Sequence, residues 1–508
     1  MPNERPQEVS VTNDDGTSTR RIDLLVLSLA IPIGFALSPF YVFSVDTGMV
    51  SVCDIGLVVY TILVVVRAMT GERRMVVRMD VPMLSLGALF LAGVLSGIPP
   101  LVSGNSAYMN QCMKSFVHFS YMWFFAVCCA ATVVKLDNVL TLFRWFVIIA
   151  IPINIFGMYQ VPARAFDLPF AWIEYTGSAV RQSNQLSLEF SGFFRATSIF
   201  SEPSAFAMYT MTTAIMLLVP YFLFNVRIIR SRFIFYTALY SSFIGMFLTF
   251  SLTIVLLFSV FVAVLAVFAR TSATGKFMAM ITVMTVIFSL TNQAISTYAD
   301  AELFDLYFGR IVTTVFGGDH VEGIVGESFD TRADAQRTAI MVWKQSPVFG
   351  IGFGCIGFAR DTDALTGVHV LQTYLTGFAT AGILGGLSTI VYMISLNVGM
   401  VRLLYRRLQT MGSDRRAPTE DVVLAVVTFL GLNQAVHGLS SDDLIYQYHW
   451  AILGVVHLVY YHPVFRATRP ESSIAVALTC GLTAPFRLGA AGTSVDHFAE
   501  HSQRKSHL

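Results

Sequence analysis

The 508-residue chain is 55% hydrophobic and 13% aromatic but only 13% charged, about half the charged share of an ordinary soluble domain. A mean hydropathy of +0.65 excludes a single water-soluble core, because so few polar side chains cannot cover a globule of this size. The net charge of +1 gives no electrostatic reason for a nucleic-acid partner. The composition calls for a lipid bilayer as solvent.

About 20 apolar residues in a helix cross a hydrocarbon core of roughly 30 Å. An all-α polytopic membrane protein with twelve such spans is expected, at 24–44, 49–68, 81–102, 114–134, 138–160, 203–224, 232–250, 252–270, 277–295, 367–404, 421–440 and 444–463. The apolar run from Phe233 to Ala269 is too long for one span and divides at Ser251 and Thr253. The run 367–404 is also too long. There Gly382, Gly385 and Gly386 mark where a short membrane-dipping helix gives way to a full span. About twenty polar residues precede the first apolar run, which argues against a cleavable signal. The six cysteines form no CxxC pair, and Cys53, Cys128 and Cys129 lie in apolar runs. Neither a disulfide framework nor a zinc site is expected from them.

This divides the chain into an N-terminal tail (1–22), five spans (23–160), a loop (161–202), four spans (203–295), a large loop (296–366), three spans (367–463) and a C-terminal tail (464–508). The tails read as mobile and carry no assigned chemistry. With the N-terminus inside, internal segments hold 23 Lys and Arg residues and external ones nine, which fits both termini in the cytoplasm. Eight of the nine external cations fall in the two long loops. Long ordered loops are usually functional, and cations kept outside point to an anionic ligand such as a lipid-linked phosphate or pyrophosphate. Pairing with local acids such as Asp167, Glu174, Glu189, Asp330 and Asp334 is the alternative.

The first loop ends in Phe194-Arg195-Ala196-Thr197-Ser198-Ile199-Phe200-Ser201-Glu202-Pro203-Ser204. A proline in the first turn suits a new helix, and Glu202 at its start is stabilised by the backbone dipole. A plain capping role for Glu202 and Ser204 is the competing reading. In the second loop, 330–344 reads as a short amphipathic helix carrying Arg332 and Arg337, followed by Pro347 and Phe349-Gly350-Ile351-Gly352-Phe353-Gly354. Those glycines allow a tight turn close to lipid or ligand, and with no preceding parallel strand a nucleotide fold is rejected. His369 stands at the outer mouth of a span. Asp54, His118, His437, Asp442, Asp443 and His449 also lie near outer span ends, where intramembrane ionisable groups are functional by default. Asp361-Thr362-Asp363 has a spacing by which some glycosyltransferases hold a metal, but a single such triplet is weak.

The series Arg-x-x-Ser-x-Phe-x-Glu-Pro-Ser (195–204), Arg-x5-Trp-x3-Pro-x-Phe-Gly-x-Gly-x-Gly (337–354) and His-x4-Tyr-x7-Gly-Ile-Leu-Gly (369–385) resembles bacterial polysaccharide polymerases of the Wzy type, within the O-antigen ligase and polymerase superfamily. The resemblance covers about 190–400. It implies a GT-C-like membrane glycosyltransferase, metal-independent and without cofactor, in the bacterial inner membrane with a periplasmic active site. Its reaction moves a glycan from undecaprenyl pyrophosphate onto the sugar end of another lipid-linked repeat, for O-antigen (lipopolysaccharide), capsule or exopolysaccharide. Implied partners are the lipid-linked donor and acceptor, a chain-length regulator and a flippase of the same pathway. Glu202-Pro203 favours polymerase over ligase, which carries an amide-rich version there. Relatives carry Ser-Arg where this chain has Ser251-Leu252, so any phosphate role for that arginine falls to others. Arg195 and Arg337, with Arg332 third, are the candidates for the pyrophosphate because guanidinium forks match phosphate oxygens. Glu202 or His369 is the candidate general base. A ligase, or a non-enzymatic lipid-linked sugar flippase, is the alternative.

Overall fold

The computed structural model describes residues 16–45, 48–71, 75–173, 189–190, 193–268, 328–359, 372–411, 417–468 and 474–478, with scattered positions between 282 and 297. These residues are predominantly helical. The first part of the chain forms α1 (Gly16–Ala30), α2 (Pro32–Ala36), the hairpin β1 (Tyr41–Val45) and β2 (Gly48–Ser51), α3 (Val52–Met69), β3 (Met75–Met79), α4 (Val81–Leu95), α5 (Ile98–Ser103), α6 (Ser106–Ala131) and α7 (Leu136–Ala165). After the two-residue strands β4 (Glu189–Phe190) and β5 (Phe193–Phe194) come α8 (Pro203–Phe224), α9 (Arg232–Leu248), α10 (Leu252–Phe268), α11 (Ser328–Gln345), α12 (Thr373–Thr410), α13 (Thr419–His437), α14 (Gln447–Tyr460) and β6 (Ile474–Leu478).

Seven helical segments are long and apolar enough to cross a membrane: α3, α4 with α5, α6, α7, α8, α12 and α13. Each coincides with an expected span. The other expected spans are met only in part. The segment 24–44 is helical only to Ala36; beyond the turn at 37–40 the β-branched and aromatic run Tyr41-Val42-Phe43 pairs with β2 instead. The stretches 232–250, 252–270 and 444–463 are apolar helices of 17, 17 and 14 residues, the first two at the short end of spanning length and the third under it. The segment 277–295 lies almost wholly outside the described residues. The C-terminal tail is not featureless, since Ile474–Leu478 forms an antiparallel ladder with β3.

Local chemistry explains where the helices begin. Ser51 and Asp54 form a reciprocal capping box at the head of α3. Asp80, Asn105 and Ser231 cap α4, α6 and α9 by accepting from backbone N–H groups. The division at Ser251 is real: α9 ends at Leu248 and Phe250 takes a positive φ of 48° before α10 begins.

In lipid, apolar burial alone does not drive helices together, so close approach of backbones must. α8 is the most enclosed candidate span, 89% buried, against 39% for α3 and α6. α7, α9, α10 and α13 surround it. The Phe206 ring fits against Gly157 of α7 and Gly245 of α9, where a methyl group would stand 2.6 Å and 3.1 Å from it.

The break expected near Gly382 is present. Ala381 (φ −126°, ψ 18°) and Gly382 (φ 66°, ψ −166°) interrupt α12. The glycine-rich turn after α11 supplies the backbone partners that the interruption removes. Ile351 N–H donates to Ala379 O (3.1 Å), Gly352 N–H to Thr380 O (2.9 Å), and Ile383 N–H to Pro347 O (2.9 Å). A broken helix in an apolar surround is tolerated when its freed groups are re-satisfied in this way.

Candidate functional site

At one end of the bundle, the starts of α3, α8, α12 and α14 meet the ends of α2 and α13. A cavity of about 100 Å³ opens among them. Glu202, Ser204, Ser38, Tyr41, His437 and Gln447 are among the residues that line it. Glu202 precedes Pro203 as the N-cap residue of α8 (φ −131°, ψ 148°), yet its side chain makes no cap hydrogen bond. It accepts instead from Ser204 Oγ at 3.0 Å and is exposed. The plain capping role is therefore not what this side chain performs.

Behind the cavity wall lies a buried ionisable group. His437 Nδ1 stands 2.8 Å from Asp443 Oδ1, and His449 Nε2 stands 2.8 Å from the same oxygen. The two imidazoles are stacked with centroids 4.9 Å apart, and His449 Nδ1 contacts Gln434 Oε1. All three members are 4% exposed or less. Thr373, the first residue of α12, secures the loop: its Oγ1 accepts from Asp443 N–H (2.7 Å) and donates to Ser441 O (2.7 Å). Two adjacent acids are thereby driven apart. Burial pushes Asp442 up to about 8, against hydrogen bonds from Thr376 and the Leu444 N–H. Burial alone would also raise Asp443, but the imidazoles of His449 and His437 outweigh it and hold its pKa at about 2.

A second cluster ties α3 to α6. Asp54 Oδ2 accepts from Ser51 N–H and Oγ, both at 2.7 Å, and Asp54 Oδ1 accepts from Tyr121 OH. His118 Nε2 lies 3.9 Å from Asp54 Oδ1. Gln447 Nε2 donates to Ser51 Oγ at 3.0 Å, linking this cluster to the cavity wall.

The residues expected at the site are placed very differently from one another. Glu202 lines the cavity. Arg195 is buried and is not among the cavity-lining residues; its Nε donates to Thr249 O at the end of α9 (2.8 Å). Its carbonyl accepts from Arg164 Nη1. Arg164, counted as an external cation, is buried too, with Nη2 on Thr197 Oγ1 (2.7 Å) and its guanidinium 4.6 Å from the Trp172 ring centroid. Arg337 is exposed on α11, 3.3 Å from Asp334. Arg332 lies in α11, but its side chain is outside the described part, and His369 falls outside the described residues. Among the described residues that line the cavity there is no lysine or arginine. The glycines of 350–354 face α12 and α6, with Gly352 against Cys112 and Gly354 against Ser115.

The His437, Asp443 and His449 grouping had a faint signal in sequence. An acid pair occupies a short connection between two apolar segments, each with a histidine at the same end. Helix periodicity gives no indication that the three side chains converge. No protein-family model matches this chain, and no curated protein matches it.

Proposed function

We propose that this chain is a polysaccharide repeat-unit polymerase of the Wzy type, a membrane glycosyltransferase with GT-C-like architecture. It transfers a glycan from undecaprenyl pyrophosphate to the sugar end of another lipid-linked repeat unit at the periplasmic face of the inner membrane. One observation carries the reading: Glu202, from the Arg-to-Glu-Pro motif, faces a small polar and aromatic cavity without being used as a helix cap.

The chemistry asks for three things. The acceptor hydroxyl must lose its proton, the glycosidic carbon must be aligned with that oxygen, and the departing pyrophosphate must be stabilised. Glu202 is suited to the first as general base. Tyr41 and Tyr446 give the cavity aromatic walls and Ser38 and Ser441 give it hydroxyls, a mixture that fits the apolar and polar edges of a sugar. Arg337, exposed on α11, is the proposed cation for the diphosphate arriving from the membrane. Arg195, buried, ties the segment that leads to Glu202 to the end of α9 through Thr249.

The test uses purified protein and one lipid-linked repeat unit. A ladder of longer glycans is expected without any lipid A core, as a ligase would require. Glu202→Gln should abolish it and Glu202→Asp should retain part of it. An unaltered ladder from both Glu202→Gln and Arg337→Ala refutes the proposal. Flipping of labelled lipid with no new glycosidic bond would identify a transporter instead.

A further inference from the structure

We propose that Cys112 of α6 and Cys355, which follows the glycine-rich turn, are joined by a disulfide in the mature protein, at the end of the bundle where the Glu202 cavity opens.

The pairing starts from one face of α6. Tyr108, Gln111 and Cys112 are spaced i, i+3 and i+4, so a single face presents all three. Each meets the segment 351–355. Tyr108 OH donates to Ile351 O at 2.6 Å, and Gln111 Nε2 donates to Gly354 O at 3.4 Å. Gly352 lies so close to Cys112 that a β-carbon there would stand 2.7 Å from its Sγ. Cys355 Sγ is 3.2 Å from Phe353 O and 3.9 Å from Tyr108 O. The two thiols are hydrogen-bonded to each other, and with Tyr108 they form a small buried cluster apart from the main core. No CxxC spacing announces the pair, because its members lie about 240 positions apart in the chain.

Helix directions locate it. Asp54 of α3 meets Tyr121 of α6, and Tyr60 meets Thr132, so the two helices run in the same sense. Cys112 precedes Tyr121 by nine residues, which carries it roughly 13 Å further toward the end from which α3 starts. That end holds the cavity. The thiol contact does not depend on the polymerase reading; the compartment rests on it. With the cavity periplasmic, the two cysteines fold on the oxidising side of the membrane, where disulfides form and persist.

The chemistry balances by exchange with a dithiol–disulfide oxidoreductase of the cell envelope. The thiolate of one cysteine attacks that enzyme's disulfide and gives a mixed disulfide. The second thiolate attacks the chain's own sulfur in the intermediate and expels the enzyme as a dithiol. Two electrons pass from chain to enzyme, and the two thiol protons end on the enzyme's sulfurs. Both cysteines are buried in the folded chain, so exchange precedes docking of the turn on α6, and burial then shields the bond. The bond would pin the turn that supplies the backbone partners of the broken α12. It revises the expectation that the cysteines form no disulfide.

The experiment is differential thiol labelling of the full-length wild type, so no variant has to fold. Cells are quenched in acid, and the denatured protein is alkylated with N-ethylmaleimide, reduced, and alkylated again with iodoacetamide. Peptide mass spectrometry should find about tenfold more second label than first on Cys112 and on Cys355, with the first label on Cys53, Cys128 and Cys129. Without reduction, the two cysteines should appear in one linked peptide. First label predominating on Cys112 and Cys355, or either one linked elsewhere, would overturn the proposal and leave them as small buried apolar side chains. A bridged chain that extends no glycan keeps the disulfide and removes the polymerase; an unbridged chain that builds the ladder does the reverse.

Discussion

The segment 195–206 and the segment 343–383 carry neighbouring parts of one motif series, yet they are built for opposite ends. In the first, backbone and cation are tied down so that one carboxylate is left facing a cavity. Arg195 holds the end of α9, Ser198 Oγ donates to Ile153 O at 2.6 Å, and Glu202 makes no cap hydrogen bond, its carboxylate accepting from Ser204 Oγ. In the second, the backbone of 347–352 supplies hydrogen-bond partners at the interruption of α12. Invariant-looking glycines and a lone acid can look equally functional in sequence. In the proposed reading the acid does the chemistry, whereas the glycines hold the broken helix together.

The largest effect should come from the first segment. Glu202→Gln is expected to lower glycan extension by about 10²–10⁴-fold, the usual contribution of a general base, with Tm unchanged because no cap is lost. Extension rate and Tm on the same preparation check this. The second segment should respond in stability. At Gly382 a β-carbon would overlap the Val348 carbonyl, at a φ of 66°, so Gly382→Val combines backbone strain with overpacking and should cost about 2–5 kcal/mol. Thermal unfolding in detergent measures it, and an unchanged Tm would mean the turn does not hold α12. Arg195→Ala leaves the Thr249 carbonyl without this donor and should cost about 1–3 kcal/mol, so its loss of activity follows loss of folded protein. Arg337→Ala breaks only a pair whose side chains are 77% and 70% exposed. Its stability should change by about 0–1 kcal/mol while extension falls. Equal Tm losses in the two arginine variants would erase the distinction between them.

Much of the helical plan was legible because length and apolarity act locally. Seven expected spans coincide with seven helices of spanning character, and the breaks at Ser251 and Gly382 were readable from the residues themselves. The hairpin at 41–51 was hidden because Tyr41-Val42-Phe43 is as apolar as a helix end. The Ile474–Leu478 strand was hidden because its partner lies some 400 positions earlier. At the site, Glu202 could be named from its place before Pro203. The burial of Arg195 and Arg164 could not, since a guanidinium on a carbonyl or a ring has the same sequence signature as one awaiting phosphate. The convergence of His437, Asp443 and His449 depends on three helix ends meeting, which no spacing rule records.

The enclosure of α8 bears on how a substrate gains entry. A helix this enclosed resists tilting or sliding, so in the proposed reading the carboxylate at its head would keep a constant height and bearing while a glycan enters. The rim of the cavity is built differently, since Tyr41 comes from the β1 strand outside the helices. If Glu202 is the base, it is thus carried on the most enclosed of the candidate spans, an anvil rather than a hammer.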